Sequence, residues 1–426
     1  MARYKEYKNC CIEWIGEIPS HWDTAPLWSL SSCNDDVLGD DTRGDYAFEY
    51  YDVSSVEEGV IGKGQHYTFL DAPSRARRLV RPSDVVISTV RTYLRAIARV
   101  DMEQAGSVFS TGFAVLRPTA IDPAYFFYCL SSEGFIEEVV KHSDGVSYPA
   151  IPPNSLLKIR LPKPPLDEQK AIANYLESRT AEINRLISET EKTIELLEEY
   201  RKSMISEIVT RGLNPDVPMK DSGIEWIGKI PEHWEIKKFK YVASVAANLV
   251  NPSDYPDYQQ VSPERMEKGT GKLFKCDTVL NSGVESDNHF FKTGSILYSK
   301  VRPTLNKVAL ASFDGLCSAD IYPIVTNDCS KWLIYAMLSQ PFVFQVRVSA
   351  DRVKMPKINK EELGTFLIPV PPIDEQEAIA SKLDIIALRL GRIIKKKNNF
   401  VSRLHAYRKS LISEAITGKF KVSGAE

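Results

Sequence analysis

The sequence lacks any apolar run that could cross a membrane and any pair of cysteines in a CxxC arrangement. A membrane helix needs roughly 20 consecutive apolar residues, and the opening MARYKEYKNCC is too polar for a secretory signal. The seven cysteines are scattered and odd in number, which disfavours a disulfide framework or a zinc site. These absences predict a cytoplasmic protein that contains no metal and does not enter a membrane.

Motifs that mark enzymes are also missing. The sequence has no NPPY-like base-methylation motif, no GxGxxG that opens a helix and no HExxH, and its six histidines are scattered. The glycine-rich segments Gly59–Gly64 and Gly269–Lys272 do not have P-loop spacing, since Leu273 stands where Ser or Thr is required. We therefore expect hairpin tips at these segments, no cofactor, and no catalysis by this chain.

Charge is nearly balanced overall but unevenly distributed. A net charge of −2 argues against a uniformly basic coat for nucleic acid. Between Ser74 and Val100, however, seven arginines accompany a single acid, whereas Asp167–Glu199 is rich in glutamate. The cluster Arg75, Arg77 and Arg78 fits either DNA phosphates or a partner surface, and both interpretations stay open.

An internal repeat covers most of the chain. IEWIGEIPSHW at Ile12–Trp22 returns as IEWIGKIPEHW at Ile224–Trp234, 212 residues later. PPLDEQ at Pro164–Gln169 returns as PPIDEQ at Pro371–Gln376, 207 residues later. A repeat of this size favours two copies of one function over two separate functions.

A helical period follows the PPxDEQ segment in both copies. Large apolar residues alternate spacings of three and four between Ile379 and Leu411, which predicts the a/d seam of a coiled coil. We expect each helix to have about 45 residues, with Asp167 and Asp374 as N-caps, and the two helices to pack antiparallel. The seam positions predicted for the first copy are Ile172, Leu176, Arg179, Ile183, Leu186, Thr190, Thr193, Leu197, Tyr200 and Met204.

The roughly 150 residues before each helix carry short β-branched and aromatic runs broken by Gly, Pro, Asn and Asp. Asp84–Ala98 aligns with Ser295–Ala309, while the stretches between such anchors diverge. The fold class predicted is therefore α+β (mixed), with two α/β globular domains separated by two long helices that form an antiparallel coiled coil, related by a pseudo-twofold repeat. The expected boundaries are 1–165 and 214–372 for the globular domains and 166–213 and 373–426 for the helices.

These motifs resemble the specificity subunit of type I restriction–modification enzymes. The IEWIGxIPxHW opening, the segments LPKPPLDEQ and IPVPPIDEQ, and the YRKS stretch at Tyr200–Ser203 and Tyr407–Ser410 occur twice in one order over essentially the whole chain. One departure is Asn9-Cys10-Cys11, which stands where the family usually has Ser-Gly before IEW. This departure concerns the local turn before the first domain.

The resemblance implies a non-catalytic subunit that gives a larger complex its DNA target. Each globular domain would be a target-recognition domain that reads one half of a bipartite site in double-stranded DNA. The coiled coil would set the spacer and dock two methyltransferase subunits, which restriction subunits then join. A rival interpretation is a coiled-coil scaffold whose globular domains bind proteins.

Candidate DNA contacts combine cations for phosphates with the fork-shaped donors that read guanine. Arg91 and Arg302 are aligned after β-like runs and are the preferred pair, although solvated surface cations remain the alternative. The full set of DNA-binding candidates is Thr89, Arg91, Tyr93, Arg95, Lys141, Ser147, Lys300, Arg302, Asn306, Arg347, Arg352 and Lys354, with His142 and Tyr148 in the same strip as Lys141.

The helices carry candidate partner contacts at the YRKS stretches. These are Tyr200, Arg201, Lys202, Tyr407, Arg408 and Lys409, although a plain charged helix face explains them nearly as well. The tryptophans Trp14, Trp22, Trp226 and Trp234 are expected to pack in the core or between domains.

Overall fold

The computed structural model describes residues 2–145, 148–350 and 356–422, and it divides into two compact units. The first unit comprises Met1–Thr190 and Asn399–Glu426, and the second comprises Glu191–Asn398. Each unit therefore takes residues from both copies of the repeat. The candidates Ser147, Arg352 and Lys354 lie outside the described residues.

Short strands and helices build the globular part of the first unit. Its strands are β1 (Tyr7–Asn9), β2 (Glu17–Pro19), β3 (Asp23–Pro26), β4 (Ser31–Cys33), β5 (Ala47–Tyr51), β6 (Val56–Glu57), β7 (Val60–Ile61), β8 (Gln65–Thr68), β9 (Ala76–Leu79), β10 (Val85–Ser88), β11 (Ile97–Arg99), β12 (Val108–Ser110), β13 (Phe113–Pro118) and β14 (Arg160–Lys163). Its helices are α1 (Leu27–Leu30), α2 (Pro123–Ser131), α3 (Glu133–Lys141) and α4 (Pro153–Leu156), and the long helix α5 (Leu166–Arg211) follows.

The second globular part repeats this order of elements. Its strands are β15 (Met219–Asp221), β16 (Lys229–Pro231), β17 (Glu235–Lys238), β18 (Ala243–Val245), β19 (Leu249–Val250), β20 (Gln259–Val261), β21 (Asp277–Thr278), β22 (Asn288–Phe291), β23 (Ile296–Ser299), β24 (Val308–Leu310), β25 (Gly315–Ser318), β26 (Ile321–Thr326) and β27 (Leu367–Val370). Its helices are α6 (Val279–Ser282), α7 (Ser330–Leu338), α8 (Gln340–Ala350) and α9 (Lys360–Thr365), and the long helix α10 (Ile373–Ile416) follows.

The two units share one sheet topology. An antiparallel sheet in the order β11-β10-β13-β4 is repeated as β24-β23-β26-β18. A second sheet in the order β8-β5-β12-β9 has one parallel pair, β5 with β12. The order β21-β20-β25-β22 repeats it, again with one parallel pair, β20 with β25, and a fifth strand, β19, extends the sheet beside β22. The predicted mixed fold and the internal repeat are confirmed.

The central strands β10 and β23 are buried along their whole length. All four residues of each strand lie in the interior, so their sequences, VVIS and ILYS, do not alternate between apolar and polar residues. Both faces of these strands are covered, and a strand covered on both faces has a continuous apolar sequence. Because β10 and β23 are held in the core, the positions of their ends, which lead into the candidate DNA contacts, are held as well.

The third strand of each globular part pairs with its last strand. Strand β3 pairs antiparallel with β14, with Asp23 opposite Lys163. Strand β17 pairs antiparallel with β27, with Glu235 opposite Val370. The chain therefore enters and leaves each globular part at one place.

The long helices have 46 and 44 residues, close to the predicted length. They begin at Leu166 and Ile373, so Asp167 and Asp374 lie inside the first turn, and the prediction that they are N-caps was wrong by two positions. A carboxylate in the first turn still interacts favourably with the helix dipole.

Within each unit, the beginning of one long helix packs against the end of the other. In the first unit Leu176 and Ile183 share a core with Leu411. In the second unit Ile208 shares a core with Ile379. Because beginnings meet ends, the pairing is antiparallel, as predicted.

The buried face of the helices differs from the predicted seam at alternate positions. Leu176, Ile183 and Thr190 are buried as predicted, but between them Thr180 and Ile187 are buried in place of Arg179 and Leu186. The predicted seam followed the largest apolar residues, and several of these are exposed instead. They are Tyr200 and Ile393 in the second unit and Phe400 and Tyr407 in the first.

No helix in residues 2–145, 148–350 or 356–422 is both long and apolar enough to span a membrane. All seven cysteines are free thiols. Trp22 and Trp234 are fully buried and therefore pack as predicted, whereas Trp226 is 41% exposed.

Candidate nucleic-acid interface

In the first unit, strand β10 leads into a tight 3₁₀ turn, Thr92–Leu94, between Arg91 and Arg95. Both arginines have a left-handed backbone, with φ of 50° and 56°. This region costs a non-glycine residue roughly 1 kcal/mol or more. Strain of this kind persists where the surrounding structure holds it, and it is concentrated at functional sites.

The second unit repeats the same strained turn. Strand β23 leads to the turn Pro303–Leu305, which lies between Arg302 and Asn306. These two residues are also left-handed, with φ of 47° and 45°. The geometry is thus retained in both copies although three of the four flanking side chains are arginine, for which this backbone is unfavourable.

Each turn is pinned to the proline anchor that follows α3 or α8 in the chain. The Arg91 backbone N–H donates to the carbonyl of Pro149 at 2.7 Å, and the Arg302 N–H donates to the carbonyl of Pro356 at 3.1 Å. The structure therefore places the strand-end arginines Arg91 and Arg302 beside the proline anchors that the sequence analysis treated separately.

Arg91 and Arg302 present exposed guanidinium groups. Neither side chain is hydrogen bonded or ion paired to another residue in the described part of the chain. The Arg91 guanidinium lies 4.7 Å from the ring centroid of Tyr148, and Tyr148 is 67% exposed. This cation–π contact orients the fork of donors while leaving its edge open to solvent.

In the second unit, an aromatic ring likewise contacts a cation close to Arg302 in the sequence. Lys300 places its ammonium 5.0 Å from the ring centroid of Tyr322. Near Arg302, backbone hydrogen bonding first, and then Ser262 and the neighbouring cations, lower the pKa of Glu264. The surface around Arg302 therefore contains cations together with the ionised carboxylate of Glu264.

Two of the predicted DNA contacts turn inward. Thr89 is 9% exposed and its hydroxyl donates to the carbonyl of Gly112 at 3.0 Å. Asn306 is 8% exposed and its amide donates to the carbonyl of Met337 at 3.2 Å. Because both side chains are buried, they position the turn, and the structure argues against direct base contact by either residue.

Arg95 is also engaged inside the first unit. Its Nη1 donates to Glu133 at 2.8 Å, its Nη2 bonds the other carboxylate oxygen, and Lys409 Nζ lies 3.0 Å from the same carboxylate. The hydrogen bond from Arg95, with a contribution from Lys409, lowers the pKa of Glu133 to about 2 although burial acts to raise it. Arg95 and Lys409 are therefore neutralised internally.

Arg408 is likewise used within the first unit. It donates through Nη1 to Asn184 Oδ1 at 2.8 Å and through Nη2 to Glu58 at 3.5 Å. The tyrosines beside these cations are different, since Tyr200 is 53% and Tyr407 54% exposed. Among the predicted partner contacts, Tyr200, Tyr407 and Lys202 are exposed.

The remaining candidates lie at exposed positions, except for Arg201. Tyr93 is 52% exposed, and Arg347 is exposed on α8. Lys141 pairs with Glu13 at 2.8 Å on the surface, and His142 follows it. Arg201 is half-buried and Lys202 exposed on α5.

The sequence reasoning missed the role of the HW and DEQ motifs, which bind one another. His21 Nε2 lies 2.6 Å from Glu168 Oε1, and the Trp22 indole N–H donates to Glu168 Oε2 at 3.1 Å. Burial raises the pKa of the Glu168 carboxyl, but hydrogen bonds from Tyr4, His21 and Trp22 outweigh burial and lower it. The sequence did contain a signal for this contact, since both motifs occur in both copies of the repeat.

We call this contact between the HW and DEQ motifs the latch, and the second unit contains the same latch. His233 Nε2 lies 2.6 Å from Glu375 Oε1, and the Trp234 indole donates to Glu375 Oε2 at 3.0 Å. The neighbouring Gln376 donates to the carbonyl of Pro371 at 3.0 Å and accepts from the backbone N–H of Cys329 at 2.9 Å. These motifs therefore tie the beginning of each globular part to the first turn of the long helix that follows it.

Within the described ranges, no group of three or more His, Cys, Asp and Glu side chains is arranged to hold a metal ion. Residues 78–196 and 231–403 match the family model of the type I restriction modification DNA specificity domain. The chain belongs to this family.

Relatives of known name agree with this membership. The chain is 29% identical over 320 residues to the type I restriction enzyme EcoDI specificity subunit of Escherichia coli, covering 72% of each chain. It is 26% identical over 346 residues to the MjaVIII specificity subunit of Methanocaldococcus jannaschii, covering 76% of this chain and 78% of the relative. The prediction of a specificity subunit, which is not a catalytic subunit, is confirmed.

Solved structures show the same fold. A chain solved in work on complex assembly and conformational transition of the type I R-M system has a TM-score of 0.75 at 20% identity, with 95% of this chain and 99% of that chain covered. The HsdS subunit from Thermoanaerobacter tengcongensis gives 0.51 at 20% identity, with 95% and 98% covered. The type I specificity family thus accounts for the twin globular parts and the twin helices.

Proposed function

We propose that this specificity subunit reads a bipartite site in double-stranded DNA, one half-site per globular part. In this proposal residues 1–165 and 214–372 are the target-recognition domains, and residues 166–213 and 373–426 form the spacer. The observation that supports it best is the strained turn found in both units, which carries an exposed arginine, Arg91 or Arg302, at the end of a buried strand.

The chemistry of these turns suits a groove of DNA. An arginine fork donates two parallel hydrogen bonds to the O6 and N7 of guanine, and nearby cations contact phosphates. Arg91 is held over Tyr148 and is not paired with a carboxylate of the described residues. Its donors are therefore available to a base or a phosphate without the rupture of an internal ion pair.

The long helices carry the proposed partner contacts. Exposed apolar residues at Tyr200, Ile393, Phe400 and Tyr407 would remain in water unless another protein covers them. We infer that two methyltransferase subunits dock on the helices and that restriction subunits join them, so the catalysis belongs to the partners. We place this assembly in the cytoplasm, since the seven free thiols suit a reducing compartment.

A gel-shift experiment with the methyltransferase partner present tests the proposal. The expected result is a two-part recognition sequence with a fixed non-specific gap. Binding to one undivided motif, or to none, would overturn it. Methylome sequencing of the host with and without the gene should identify the same two-part sequence.

Salt dependence separates DNA reading from the scaffold alternative. DNA binding releases condensed counterions, so the affinity should fall steeply as the salt concentration rises. A retarded complex whose affinity is unchanged between low and physiological salt would favour globular parts that bind protein.

A further inference from the structure

A cleft lies within the second unit, behind the turn that carries Arg302. Its volume is about 700 Å³, and its walls come from α5, α8, α10, the turn Pro303–Leu305 and the loop 267–272. Sites for small molecules commonly measure about 300–1,000 Å³. The second-unit cleft is therefore large enough for a metabolite.

The lining of the second-unit cleft is strongly basic. Six basic side chains and two acidic ones line it. None of the six basic groups has a salt-bridge partner in residues 2–145, 148–350 or 356–422, and the carboxylate of Glu267 already accepts from the Thr270 hydroxyl at 2.8 Å. The basic residues are Arg201, Lys202, Lys268, Lys272, Arg347 and Lys395.

The first unit binds the equivalent cations to acceptors that the second unit lacks. There Arg408 donates to the amide oxygen of Asn184, and Lys409 pairs with the carboxylate of Glu133. The positions 207 residues away are Arg201 and Lys202 for the two cations, which are retained, but Gly391 and Gln340 for the two acceptors. The second unit has thus kept both cations and replaced one amide acceptor and one carboxylate by uncharged residues that do not bind them.

Two residues that line the cleft each have one buried polar atom without a hydrogen-bond partner among the described residues. The Nε of Arg201 is buried without a hydrogen-bond partner, and so is the Oδ1 of Asn306, a residue that is 8% exposed. Glycine is unfavourable inside a helix, yet Gly391 occupies the middle of α10. A Cβ built at Gly391 would lie 3.9 Å from Lys272 Nζ, an ordinary contact distance, so Gly391 lies directly beside that ammonium group in the cleft wall.

We propose that the second-unit cleft binds a small phosphorylated metabolite. Its phosphate groups would lie among the lysines and Arg201, where charge-assisted hydrogen bonds are strongest. Since Thr304, Leu305 and Asn306 line the cleft, the ligand contacts the turn that presents Arg302. This site goes beyond the proposed DNA reading and does not depend on it.

Calorimetric titration of the full chain with inorganic triphosphate, at constant ionic strength, tests the proposal. We expect saturable binding that weakens by about tenfold or more in the double variant Lys272→Gln, Lys395→Gln, because each charged hydrogen bond lost is a substantial part of the affinity. The matched control is Lys275→Gln, Lys396→Gln, which removes two exposed lysines of the same loop and helix outside the cleft. It should change the affinity by less than about twofold, as expected for distant screened charges.

A second variant installs the acceptors of the first unit. Gln340→Glu with Gly391→Asn should abolish triphosphate binding while the thermal unfolding curve still shows a folded chain. Three results would overturn the proposal: equal loss in the cleft and control variants, loss caused by Arg302→Ala alone, or no saturable binding to the wild-type chain. DNA binding can persist in each of these cases, so failure here is distinguishable from failure of the proposed function.

Discussion

The indole N–H of Trp22 donates to Oε2 of Glu168 at 3.1 Å, which ties the opening motif of the first copy to the first turn of α5. Trp22 is fully buried and Glu168 is 8% exposed, so this charged hydrogen bond is shielded from water. The bond between Trp234 and Glu375 repeats it in the second unit. The most recognisable sequence motif of the chain is therefore a structural latch.

Replacement of the latch carboxylate should destabilise the first unit. Glu168→Gln removes the charge that Tyr4, His21 and Trp22 share, and we expect a loss of about 1.5–3 kcal/mol in the free energy of unfolding. Urea titration followed by fluorescence measures it. The neighbouring exposed Asp167→Asn is the control, expected to cost at most about 1 kcal/mol through the helix dipole. Equal costs for the two variants would contradict the latch.

The pH dependence of stability should report the ion pair of Glu133. Its pKa lies at about 2 in the folded chain against an ordinary value of 4.5. Because the folded value is the lower one, the pair stabilises the fold above about pH 4.5 and the contribution is lost as pH falls towards 2. Glu133→Gln should therefore cost roughly 1 kcal/mol at neutral pH, discounted for solvent exposure, and progressively less in acid.

Unfolding free energies at a series of pH values between 7 and 3 measure this effect. The control is Glu137→Gln, an exposed neighbour on α3, which should leave the profile of the wild type unchanged. A cost of Glu133→Gln that stays constant down to pH 3 would show that the ion pair does not stabilise the fold.

Removal of one exposed arginine should disturb one half of the DNA site. Arg302→Ala is expected to weaken binding by roughly 10- to 100-fold, the range of one lost bidentate base contact. The loss of discrimination should be confined to the half read by the second domain, and Arg91→Ala should do the same for the other half. Competition with oligonucleotides mutated in one half at a time measures this, and equal loss at both halves would argue against modular reading.

The left-handed backbone at Arg91 allows function to be separated from folding. Glycine tolerates this conformation and alanine does not. Arg91→Gly should therefore be more stable than Arg91→Ala by about 1 kcal/mol, while both lose the guanidinium and bind DNA equally weakly. Thermal unfolding and gel shifts on the same preparations compare them. Greater stability of the alanine variant would show that the turn is not strained.

A fragment of residues 1–213 should associate with itself. Without α10, the buried face of α5 at Leu176 and Ile183 has no cover. The end of α5 supplies Ile205 and Ile208 where the repeat has Ile412 and Ala415, so a second copy of the fragment can replace α10. Light scattering should show a dimer that Ile208→Lys disrupts, and a well-folded monomer would contradict this.

Much of the architecture could be predicted from the sequence because the repeat and the helical period are long-range patterns. The antiparallel helices, the mixed globular parts and the aligned Arg91 and Arg302 all follow from them. The seam was displaced at alternate positions because apolar residues such as Tyr200 and Phe400 are exposed on their helices. Hydrophobicity alone does not distinguish an apolar residue that packs on its own chain from one that faces outward.

The roles of individual polar side chains were harder to predict. Thr89, Arg95 and Asn306 looked like DNA contacts because they flank Arg91 or belong to the aligned turn. Burial and the acceptors that they meet depend on residues far along the chain, such as Glu133 for Arg95. The same limit applies to the latch, since a single carboxylate and a distant tryptophan have no periodic signal that links them.

The pairing of β3 with β14 and of β17 with β27 has a consequence for how the specificity can evolve. Asp23 faces Lys163 and Glu235 faces Val370, so the block between each pair of strands begins and ends at neighbouring points of the chain's path. The block also packs on the long helices. Recombination could therefore replace such a block as a unit, provided that the two border strands still pair and that the residues facing the helices are kept. One genetic exchange would then change the half-site that a globular part reads, while the latches and the long helices stay the same.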